Sequence, residues 1–130
     1  MMPKNLEEAI KQSWGKDTCY PPSAESWIPE NPALGQCAVT ALVVRDYLGG
    51  DILNCKSLHH HYNQLMDGIV VDLTKSQFPE GTLIQSDGIA TDFDLLYGAS
   101  AKKAETENRY KILKRRVERN LICANPIYNF

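Results

Sequence analysis

The sequence has no long apolar run, no marked excess of either charge and no CxxC pair among its cysteines. No segment approaches the roughly 20 apolar residues needed to cross a bilayer as a helix, so no membrane is expected among its partners. Fourteen basic residues stand against sixteen acidic ones, a net charge of −2. That balance offers no basic face for nucleic acid. The opening stretch, "MMPKNLEEAIKQSWGKD", is charged and amphipathic and lacks the apolar centre of a secretion signal, so the protein is expected in the cytoplasm.

Without a secretory context, Cys19, Cys37, Cys55 and Cys123 read as free thiols rather than as a disulfide framework. The three histidines at 59–61 could join a cysteine on zinc, but no pair has finger or ribbon spacing. No metal is expected, and no motif calls for a cofactor.

What is present is an ordinary globular balance: 130 residues, 43% apolar and 23% charged. That suits one domain over 1–130 with a core of its own. Residues 4–14 predict a helix, with Asn5 as cap and Leu6, Ile10 and Trp14 on one stripe before Gly15. Residues 15–36 hold four of the seven prolines and predict a long irregular loop, with Trp27 packing inside it. Residues 37–48 predict a central helix ended by Gly49-Gly50, since its apolar residues wrap more than half its circumference.

Residues 51–58 predict a strand, and 59–74 a β-hairpin joined by Asp67-Gly68 in a type I′ turn. A short strand is possible at 82–85. In "TDFD", Asp92 and Asp94 read as capping a helix start. Residues 101–121 predict a long helix with Tyr110, Leu113, Val117 and Leu121 buried and "KILKRRVER" solvated. The order of elements defines an α+β domain, an antiparallel sheet packed on a central helix.

The chemistry centres on "NPALGQCAVTAL", where a loop turns into a helix at Cys37. A helix N-terminus presents free N–H groups and the positive end of the dipole, both of which favour a thiolate. A two-residue turn at Asp67-Gly68 makes each cross-strand pair sum to 135, placing His61, Asn63 and Asp72 on one face. His60 takes the place of His61 if the register shifts by one. An Asp beside a His fixes the ring's tautomer and stabilises its protonated form. Cys37, His61 and Asp72 thus form a candidate nucleophile, base and orienting acid. Gln36 is a candidate oxyanion donor, and Asn63 and Trp27 are candidate substrate contacts. The competing reading makes Cys37 a small core residue, His61 a surface-strand histidine and Asp72 a turn-proximal acceptor. Cys19 and Cys55 read as structural.

The strings "NPALGQCAVTALVVRDYLGGDIL", "HHYNQLMDGIVVDLTKSQF" and "RYKILKRRV" resemble the YunG-like family of small bacterial proteins, over most of the chain. That family in turn resembles papain-like and transglutaminase-like cysteine enzymes. The resemblance implies Cys37 as nucleophile, His61 as base and Asp72 as orienting acid. The expected function is a cysteine-dependent hydrolase or acyltransferase acting on an amide or peptide bond of a peptide, protein or small-amide substrate. A non-catalytic binding protein on the same fold is the alternative.

Overall fold

A computed structural model of the chain describes residues 2–124. Helix α1 spans Lys4–Ser13 and α2 spans Cys37–Leu48. Strands β1 (Asp51–Cys55), β2 (His60–Gln64), β3 (Val70–Val71) and β4 (Gly88–Ile89) form an antiparallel sheet in the order β3-β2-β1-β4. Two further helices follow, α3 (Ala99–Lys103) and α4 (Thr106–Ala124). The architecture is the expected α+β one, with a long C-terminal helix.

Helix α2 lies at the centre because it is apolar on nearly every side. Val39, Val43 and Val44 pack against Leu6, Ile10 and Trp14 of the N-terminal segment and Leu113 and Val117 of α4. On its other side Ala41 and Leu42 meet Ile52 of β1, with Ala90 and Leu95. A separate cluster of Leu53, Cys55 and Tyr62 lies on the sheet, with Leu58 and Ile84 packed against it. Each large aliphatic side chain so buried contributes about 1.5–3 kcal/mol.

Several expectations are corrected. Helix α1 begins at Lys4 after Pro3, and Asn5 Oδ1 accepts only from the adjacent Leu6 N–H. The 15–36 loop is not wholly irregular: it contains 3₁₀ turns at Lys16–Thr18 and Pro21–Ser26. The first strand stops at Cys55 and continues as a 3₁₀ turn, Lys56–Leu58. No strand forms at 82–85; Gly88–Ile89 pairs with β1 instead. The 101–121 helix is two helices, broken where Glu105 takes a left-handed conformation at φ 54°. At 91–94 the cap is Thr91, whose Oγ1 accepts from the Asp94 N–H while Asp94 Oδ2 accepts from Thr91 N–H. Asp92 instead pairs with Arg45.

The hairpin correction matters most. Asn63 pairs with Val71 and Gln64 with Val70, so pairs sum to 134 rather than 135. The connection is three residues long: Gly68 N–H donates to Leu65 O, and Gly68 sits at φ 86°. This is a β-turn closed by a left-handed glycine, the usual three-residue hairpin, not the two-residue type I′ turn. One extra loop residue exchanges the faces of every side chain on the returning strand relative to β2.

Candidate active site

Cys37 is the first residue of α2. The approach is a run of short turns ending at Gly35, whose φ of 70° reverses the chain into the helix. Gly35 is held on both sides: its carbonyl accepts from Tyr20 N–H at 2.8 Å, and its N–H donates to Gln77 Oε1 at 3.3 Å. Among the described residues no side chain caps α2, which leaves its first N–H groups without a capping partner at Cys37. The Cys37 thiol is partly exposed and donates to the His59 carbonyl at 3.8 Å. His59 itself is left-handed, at φ 50°, just before β2 begins.

The shifted register selects the histidine. His60, not His61, meets Asp72: His60 Nε2 donates to Asp72 Oδ2 at 2.8 Å. The His60 ring is fully buried, stacked on Tyr62 and edge-on to Phe78 at 4.9 Å. With Nε2 committed to the carboxylate, Nδ1 is the nitrogen left over, and it has no hydrogen-bond partner. His61 stays in the site but in a different place, lining the pocket that opens over Cys37.

The electrostatics follow from this packing. Burial alone would push the Cys37 thiol up, but the adjoining His60 and His61 rings outweigh it and bring its pKa down to about 6. Burial would likewise push His60 down, yet its bond to Asp72 and the neighbouring Cys37 sulfur raise it to about 9. Between those values the stable form is thiolate beside imidazolium. Cys19, by contrast, is raised, chiefly by burial.

The remaining expected site residues have structural partners. Gln36 is buried, accepting from Thr18 Oγ1 at 2.8 Å and donating to Gly15 O at 2.9 Å. Its amide thus ties the loop to α2. Asn63 is buried and donates to Ala41 O at 3.0 Å, fastening β2 to α2. Trp27 Nε1 donates to Pro32 O at 3.0 Å within its own loop. Neither Asn63 nor Trp27 is among the residues that line the Cys37 pocket.

Two residues of the site had no role in the sequence reading. Gln77 lines the pocket, its orientation fixed by the Gly35 N–H on Oε1, and its Nε2 is buried with no partner. It belongs to the quoted "DLTKSQF", in a 3₁₀ turn closed by Gln77 N–H on Thr74 O at 3.1 Å. Arg109 also lines the pocket and is 6% exposed. Its signal was its place four residues before Leu113 and eight before Val117, on the core stripe of α4. Among the described residues, the buried side-chain atoms without a partner are His60 Nδ1, His61 Nδ1, Asp72 Oδ1 and Gln77 Nε2. His61 and Gln77 line the Cys37 pocket, and His60 and Asp72 are the pair coupled to the thiol. Buried polar groups are normally satisfied, so this concentration of exceptions sets the region apart from the rest of the core.

The class is therefore an α+β protein with a cysteine at a helix N-terminus beside a His–Asp pair. The family model described as YunG protein matches residues 2–122, and the chain belongs to that family. A relative from Bacillus subtilis (strain 168), the uncharacterized protein YunG, is 38% identical over 77 residues. That match covers 58% of this chain and 62% of the relative, less than two thirds of its length. No solved structure matches. Among the described residues no helix is long and apolar enough to cross a membrane, and no group of side chains is arranged to hold a metal ion.

Proposed function

We propose that this chain is a cysteine-dependent acyl-transfer enzyme, a hydrolase or transferase acting on an amide or peptide bond. The observation that carries the reading is the Asp72–His60 bond at 2.8 Å, which leaves Nδ1 unpartnered on a ring electrostatically coupled to Cys37. A nucleophile, a base and an orienting acid in that relation constitute a nucleophilic triad. The order Cys, His, Asp, with the nucleophile heading a helix against an antiparallel sheet, resembles papain-like and transglutaminase-like enzymes. That likeness is analogy and adds no residue of its own.

The Cys37 thiolate attacks the carbonyl carbon, forming a C–S bond and moving the π pair onto oxygen. Gln77 Nε2–H and the free N–H groups at the start of α2 receive that oxyanion. Collapse breaks the C–N bond, and the departing amine takes the proton of His60 Nδ1. Water, or a second amine, then attacks the thioester, returning a proton to Nδ1 and the electron pair to sulfur. Asp72 holds Nε2–H throughout. His60 replaces His61 as the base in this reading, and Gln77 replaces Gln36 as the oxyanion donor.

The test is acylation by p-nitrophenyl acetate. One equivalent of 4-nitrophenolate should be released in a burst, with an acetyl adduct on Cys37 by mass spectrometry and none in Cys37→Ala. A chain that takes up no acetyl group on Cys37 returns the reading to a binding protein on the same fold.

A further inference from the structure

The reading of Cys37 as nucleophile says nothing about which acyl group it attacks; Arg109 does. Its guanidinium is almost fully buried, yet it donates to neutral groups: Ala104 O at 2.9 Å, Thr18 O at 3.0 Å and Thr106 Oγ1 at 3.3 Å. Among the described residues no carboxylate lies within ion-pair distance of it. Buried charges are normally paired, because an isolated one loses its hydration without recovering an equivalent interaction. These bonds engage three of the guanidinium's five N–H donors and leave two over.

Arg109 and Cys37 line one pocket of about 450 Å³, a volume suited to a small polar molecule. Leu95, Ala101 and Ala104 furnish apolar wall in the same pocket. Burial pushes Arg109 down, and the Cys37 thiolate is the foremost charge opposing that shift, so the two groups are within electrical reach. Asp94 is the carboxylate in the lining, but it is exposed and its charge is screened by solvent.

Resting on the reading of Cys37 as nucleophile, we propose that the pocket selects substrates whose acyl portion carries a carboxylate, which Arg109 binds while the scissile carbonyl lies at Cys37. A guanidinium fork fits a carboxylate's two oxygens, and a low-dielectric wall strengthens the pairing. The substrate class is then a small monoamide of a dicarboxylic acid, or an acidic side chain or terminus in amide linkage.

Two alkylating agents of nearly equal size separate charge recognition from nucleophilicity. Iodoacetate and iodoacetamide react with Cys37 by the same displacement, in which the S–C bond forms as iodide leaves. Between pH 6 and 9, where the thiolate–imidazolium pair prevails, Arg109→Gln should slow iodoacetate about tenfold and leave iodoacetamide within about twofold. Arg109→Lys should restore part of the preference. In the unaltered protein, succinamate should protect Cys37 from iodoacetamide and the neutral succinamide should not. An unchanged iodoacetate-to-iodoacetamide ratio in Arg109→Gln overturns the proposal. So does equal protection by the two ligands, or a parallel loss of both rates with a displaced pH midpoint, which would make Arg109 a support of the thiolate or of the fold. Failure of the nucleophile reading looks different: the unaltered protein would then alkylate with the pH midpoint of an ordinary thiol.

Discussion

Asp72 Oδ2 accepts from His60 Nε2 at 2.8 Å, and that bond leaves the other nitrogen of a fully buried ring unpartnered, with the ring within electrostatic reach of Cys37. The relation sets a pH window. Below about 6 the Cys37 thiol holds its proton and reacts slowly; above about 9 His60 loses its own and can no longer protonate a leaving amine. Alkylation by iodoacetamide should therefore rise with a midpoint near 6 and stay high, while acyl transfer to or from an amide should fall again above 9. His60→Ala should move the alkylation midpoint up from about 6 toward the ordinary thiol value of 9.0, with the His61 ring retaining part of the depression, and should lower the rate at pH 7. A midpoint that stays near 6 in that variant would remove His60 from the site.

Asp72→Asn should act in the same direction through the ring. Removing the carboxylate's charge takes away what raises His60, so its pKa falls below about 9 and the Cys37 midpoint climbs above about 6. The shift should be smaller than in His60→Ala. The double variant His60→Ala/Asp72→Asn should match the single His60→Ala, because Asp72 acts through that ring. A double-variant midpoint clearly above that of His60→Ala would contradict the pairing.

Gln77 should separate the two chemistries of the thiolate. Displacement at a saturated carbon creates no oxyanion, whereas acylation does. Gln77→Glu keeps an oxygen for the Gly35 N–H but replaces the donor with a carboxylate oxygen. Acylation by p-nitrophenyl acetate should fall by roughly 10²-fold, with iodoacetamide alkylation little changed. Equal losses in both assays would show that Gln77 only holds the loop.

Gly35→Ala should fail on the fold. A Cβ there would lie 2.5 Å from Cys19 Sγ and 2.8 Å from Tyr20 N, in a left-handed conformation at φ 70°. Denaturant unfolding should show a loss of about 2 kcal/mol or more, with Cys37 reactivity drifting toward that of an ordinary thiol.

Asn63→Ala removes the Asn63–Ala41 bond between β2 and α2 and should lower stability by about 1–3 kcal/mol. The pH midpoint of Cys37 should stay near 6. A displaced midpoint with unchanged stability would return Asn63 to the site.

The sequence by itself determined where the main helices and the hairpin lie and which residue heads α2. Periodicity located α1, α2 and the buried stripe of α4, because an apolar face repeats at a period that local geometry alone sets. Cys37 was legible as the head of α2 because the Pro- and Gly-bearing loop and the Ala-rich run change character at that residue. Asp72 and a histidine were legible as near neighbours through the hairpin. Which histidine was not: "MDG" accommodates a two-residue or a three-residue connection, and only the packing of β2 and β3 against the rest chose the latter, pairing Asn63 with Val71. That single step moved the pairing from His61 to His60. Gln36, Asn63 and Trp27 carried the right chemistry, but tertiary contacts bound them to Gly15, Ala41 and Pro32. Gln77 and Arg109 became part of the site only through partners 42 and 91 residues away, Gly35 and Thr18. No local pattern encodes contacts across such separations; they follow from how α2, α4 and the sheet bury their apolar faces against one another.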